Sequence, residues 1–159
     1  MNDDEEKYVH FISCVDDLNN AWRILQLVKK RKNNSLKHIA FKFALIEYSK
    51  PYLRSDGMFG KYKLDKSFVP PEHLALHGRI LDARNKFLAH SDLTIRDAQL
   101  YVTPSSFGKF VGIVQNVIHG SEEFGNIDYV IDLTEKTLLK MYEERDRMEK
   151  DLSLNASIR

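Results

Sequence analysis

The chain has 159 residues, 43% of them hydrophobic and 30% charged, which suits a single domain with an apolar core at residues 1–155, followed by a short polar tail at 156–159. No stretch approaches the roughly 20 consecutive apolar residues of a membrane span, and the acidic start MNDDEEKYVH is unlike a basic targeting signal, so a cytoplasmic protein without a membrane partner is expected. Net charge is only +1, yet between Lys29 and Lys63 ten Lys or Arg stand against two acids, Glu47 and Asp56, a segregation that suits a polyanion-binding surface if the helices put those charges on one side.

Tyr8, Phe11, Val15, Leu18, Trp22 and Leu25 recur at spacings of three and four, with acids before them and KKRK after. This predicts a long amphipathic helix over residues 4–31 whose end charges suit its macrodipole. Cys14 falls inside it beside Asp16 and Asp17, whose charges would raise its pKa, so small core filler is expected rather than a reactive thiol. NNS interrupts the period, and Ser35 suits the N-cap of a second helix from Leu36 to about Tyr48, stopped by Pro51. Its run IAFKFALI is apolar around most of the circumference, which predicts a place in the middle of the packing.

Residues 50–70, with Pro51, Gly57, Gly60 and Pro70, read as a long loop in which Phe59, Tyr62 and Phe68 are interleaved with Lys61, Lys63 and Lys66. Rings between cations suit stacking on unpaired bases; half-buried rings anchoring the loop are the favoured expectation. Pro71 and Glu72 open a third helix with Leu74, Ile80, Leu81, Phe87 and Leu88 on its core face, ending near His90 or Ser91. Between 92 and 120, AQLYVTP and KFVGIVQNVI are rich in β-branched and aromatic residues and predict a small hairpin. Helical spacing returns at Ile127, Ile131, Thr134, Leu138, Met141 and Arg145, giving a last helix to about Leu152. Four such helices argue for an all-α, up-and-down bundle carrying the hairpin as an insertion before the last helix.

His73 and His77 have the spacing of a two-histidine metal clamp, but no Asp, Glu or Cys recurs at a supporting distance, and a solvent-facing pair is expected. The sequence contains no GxxxxGK, GxGxxG, GxSxG or cysteine cluster. P-loop nucleotide hydrolysis, Rossmann cofactors, α/β-hydrolase chemistry and zinc fingers therefore lose support. The run Lys29, Lys30, Arg31, Lys32 closes a helix C-terminus favourably, with phosphate binding as a secondary role.

The stretch ARNKFLAHSD, residues 83–92, places Arg84, Asn85 and His90 near the end of the third helix. It resembles the signature of the HEPN superfamily of helical bundles: an Arg, a polar residue next to it, and a His after four to six intervening residues. Five intervene here, and Lys86, Ala89 and Asp92 also fit the longer form R-x-K-x-x-A-H-x-D of the abortive-infection type. The resemblance covers one helix and the overall architecture. It implies a HEPN-type bundle acting as a metal-independent endoribonuclease without a cofactor, and a homodimer whose motif helices form one composite site. For a defence or toxin enzyme it further implies a neutralising partner protein.

The residues themselves permit this chemistry. An imidazole with an unperturbed pKa of about 6.5 can take the proton of a ribose 2′-hydroxyl or return one to the leaving oxygen, which is the role expected of His90. Arg84, always charged and forked, would hold the scissile phosphate, and Asn85 would orient the histidine or the phosphate, or cap backbone groups. On one regular helix Arg84 and His90 point about 120° apart, so the site needs a loosened helix end or a second subunit. Lys29, Lys30, Arg31, Lys32, Lys61 and Lys63 would guide the strand to the motif. The competing expectation is a non-catalytic HEPN-like nucleotide-binding or protein-interaction module, with Arg84 paired to Asp82 or Asp92 and His90 capping a helix end.

Overall fold

The computed structural model describes residues 1–31, 35–85, 99–114 and 122–156. Helix α1 (Asp3–Lys30) starts on a capping box: the Asn2 side chain accepts from the Glu5 backbone N–H, and the Glu5 carboxylate accepts from that of Asn2. Its buried face carries Phe11, Cys14, Val15, Leu18, Ala21, Leu25 and Val28, so the three-and-four spacing does mark the core side. Burial pushes the Cys14 thiol up to about 12, as suits core filler. Helix α2 (Ser35–Ser49) returns along α1, and Lys50 just beyond its end reaches Asp17. Helix α3 (Leu74–Ala83) follows a 3-10 turn at Pro71–His73, and α4 (Ile127–Ala156) runs antiparallel to α1. Four side-chain pairs track that last alignment: Lys29 with Asp128, Trp22 with Glu135, Asn19 with Tyr142, and Tyr8 with Glu149.

Leu18 and Leu25 of α1, Phe41, Leu45 and Tyr48 of α2, Ile80 of α3, and Leu133 and Met141 of α4 are almost completely buried together. Each large apolar side chain so placed contributes about 1.5–3 kcal/mol relative to exposure. The described chain is mostly helical, with four α-helices and two small antiparallel hairpins. No helix among the described residues is long and apolar enough to cross a membrane.

Several expectations need correction. Helix α2 does not sit in the middle of the packing: Phe41, Ala44, Leu45 and Tyr48 turn inward, while Leu36, Ile39 and Phe43 are 60%, 62% and 52% exposed. A helix that packs mainly through one face leaves a surplus apolar stripe on the other. On α3, Leu74 faces solvent, whereas Leu76 and His77 are buried with Ile80. The tighter 3-10 turn ahead of it shifts the register counted from Pro71. Phe87 and Leu88 lie outside the described residues.

The supposed loop at 50–70 is a strap of short elements. A 3-10 turn at Lys50–Tyr52 leads into β1 (Ser55–Asp56), which pairs antiparallel with β2 (Lys61–Tyr62), and a second 3-10 turn at Lys66–Phe68 is capped by Asp65. Tyr52, Leu64 and Val69 are buried beneath it. The Tyr62 ring lies on His10 and that of Phe68 on Phe11, so two of the three rings anchor the strap, while Phe59 is exposed. The expected hairpin is present as β3 (Gln99–Ser105) and β4 (Gly108–Val114). Gly108 takes φ +126° right after the two-residue turn, a conformation that a side chain would strain.

Candidate functional site

Helix α3 positions the motif. Two pairs tie its start to α4, Glu72 with Lys136 and His73 with Asp132, and the Arg79 guanidinium binds the buried Glu123 carboxylate just ahead of α4. Helix α3 therefore runs antiparallel to α4 and delivers Arg84 past the α4 N-terminus. The C-terminus of α1 lies at that same end through Lys29–Asp128, and so does the start of α2, whose His38 and Phe41 rings pack on Phe124. At residues 84 and 85 the backbone widens into a π turn, and the Arg84 N–H is shared between the carbonyls of Ile80 and Leu81. Widened turns of this kind occur frequently at functional sites.

The Arg84 side chain is part-exposed and donates from Nη1 to Asn85 Oδ1 at 3.0 Å. Among the described residues it has no carboxylate partner, Asp82 included. Asp92 and His90 both lie outside the described residues, so the position of the histidine relative to Arg84 does too. A guanidinium with five N–H donors, one of them directed to a neutral amide oxygen, keeps its charge available for a phosphate.

The candidate RNA-binding cations do not form one surface. Lys29, bound to Asp128 at 2.7 Å, and the exposed Lys30 and Arg31 stand at the Arg84 end, and Lys32 lies outside the described residues. Lys61 and Lys63 are exposed at the opposite end, because Tyr62 between them donates to Glu6 and Asp3 at the start of α1. Glu6 and Lys29 are about 35 Å apart along that helix. Lys61 and Lys63 instead border an open cleft of about 380 Å³ with Phe11, Phe68 and Met148 in its lining. Others of the basic set are locally neutralised: Lys50 by Glu47 and Asp17, Arg54 by Asp56.

His73 and His77 are neither a metal clamp nor solvent-facing. Both are 7% exposed, and each is committed elsewhere: His73 Nε2 lies 2.7 Å from Asp132 Oδ2, and His77 Nδ1 lies 2.8 Å from the Tyr48 hydroxyl. Their partners come from other helices, which spacing alone does not reveal. Glu6 was also hidden in the acidic start of α1. Its carboxylate accepts from the Met58 and Phe59 backbone N–H groups and from the Tyr62 hydroxyl, and these bonds, led by Tyr62, hold it below the usual carboxylate range.

Comparison with protein-family models, with curated proteins and with solved structures gives no match.

Proposed function

We propose that the chain is a metal-independent endoribonuclease of the HEPN kind that cuts single-stranded or loop RNA. In this reading Arg84 holds the scissile phosphate, and His90 moves the proton as the 2′-oxygen attacks phosphorus and the 5′-oxygen leaves, giving a 2′,3′-cyclic phosphate. Asn85 fixes the guanidinium. Lys30 and Arg31 at the same end guide the strand. The observation that carries the reading is the Arg84 side chain, which lies in a widened helical turn, donates to Asn85 and has no carboxylate partner among the described residues. A homodimer and a neutralising partner belong to the same proposal, as the HEPN resemblance implies.

The test is cleavage of a labelled single-stranded RNA in EDTA by wild type, Arg84→Ala and His90→Ala. Cleavage by wild type and a loss of about 100-fold or more in each variant is expected. Activity that vanishes in EDTA, or survives in both variants, rejects the mechanism. A second reading, a non-catalytic interaction module, is favoured by the apolar surface that the β3–β4 hairpin exposes. It predicts no cleavage under any of these conditions.

A further inference from the structure

In a two-stranded ribbon, residues directly opposite each other share a face. The β3–β4 register sets Leu100 opposite Ile113 and Val102 opposite Val111, so these four make one continuous aliphatic face. They are 65%, 68%, 52% and 58% exposed. An isolated two-stranded ribbon is marginal in water and is stabilised by a further strand or a helix against its apolar face. The α2 stripe of Leu36, Ile39 and Phe43 is a helix face of the matching kind, also uncovered. In the chain the ribbon precedes residue 122, and α2 begins beside Phe124.

We propose that two copies of the chain cover these faces reciprocally, the β3–β4 ribbon of one subunit lying along α2 of the other. Within one subunit both faces stay exposed, so the ribbon does not cover its own α2. The seven side chains together expose on the order of 800 Å², about what each partner contributes to a stable protein–protein interface. None of the seven is charged, and a two-fold exchange satisfies both faces at once with no third component. The proposal stands whether or not Arg84 is catalytic.

Sedimentation equilibrium of the full chain tests it, using Val102→Asp on the ribbon and Ile39→Asp on α2. Wild type is expected to be a dimer, and each charge, forced into an apolar contact, to weaken dimerisation by about 100-fold or more. Mixing the two variants is the decisive arm. A heterodimer pairs the intact ribbon of one with the intact α2 of the other, so the mixture should associate more tightly than either variant alone. Such recovery also excludes misfolding as the cause of the loss. A monomeric wild type, an undiminished dimer in either variant, or a mixture no tighter than its components would overturn the proposal, an undiminished Ile39→Asp dimer by pointing to ribbon against ribbon.

Discussion

His77 brings an imidazole into the core beside Tyr48 and Tyr52, where burial first, and the charges of Lys63 and Lys66 second, lower its pKa. With the folded value below the unfolded one, the unfolded chain binds more protons between the two. The contribution to stability is therefore full above about pH 6.5 and is lost as pH falls through the folded value. Urea unfolding followed from about pH 7 to pH 5 should show wild type losing stability more steeply than His77→Gln. His10, lowered by burial in the same direction, supplies slope that both proteins retain. Equal slopes would mean that the His77 imidazole is solvated in the fold. The sequence could place His73 and His77 on one face but not say which way it turned, because Tyr48 and Asp132 lie 29 and 59 residues away from their partners. For Arg84 the legible part was its place at a helix end, and its turn toward Asn85 was not.

Elements with a long period were the readable ones. A helix expected over 4–31 is Asp3–Lys30, and the last one, expected to about Leu152, continues to Ala156. Over many turns the core spacing repeats often enough to outweigh local exceptions. The strap at 50–70 has no such repetition: β1 and β2 are two residues each, and what shapes the turn between them is Glu6, some 50 residues away. This gives Gly57 a specific burden. A Cβ there would stand 2.6 Å from Tyr62 Cε2 and 2.8 Å from the Glu6 carboxyl carbon. Gly57→Ala should cost about 1–3 kcal/mol in urea unfolding and raise amide exchange at Met58 and Phe59, whose N–H groups Glu6 binds. An alanine variant as protected as wild type at those two amides would show that the strap has room the contacts deny.

Across the whole molecule, α1 keeps two cationic regions apart that the sequence counts as one. If RNA is handled at the Arg84 end, Lys30→Ala/Arg31→Ala should flatten the plot of log affinity against log salt by about 1.4, two single-strand phosphate contacts, while Lys61→Ala/Lys63→Ala leaves it unchanged. The reverse result would move the strand to the cleft bordered by Phe11 and Phe68. At this scale the sequence conveyed the four helices found among the described residues and the hairpin before the last of them. It did not convey which ends meet, because that depends on pairs such as Lys29–Asp128 and Arg79–Glu123 that join distant segments. The Arg79–Glu123 pair also brings the two ends of everything between α3 and α4 to one anchor. The ribbon is thus bracketed in the chain by two residues that are held together. Lengthening or shortening the chain between those two anchors changes the closure entropy only logarithmically, so the pair holds its place at small cost whatever the length of what it brackets.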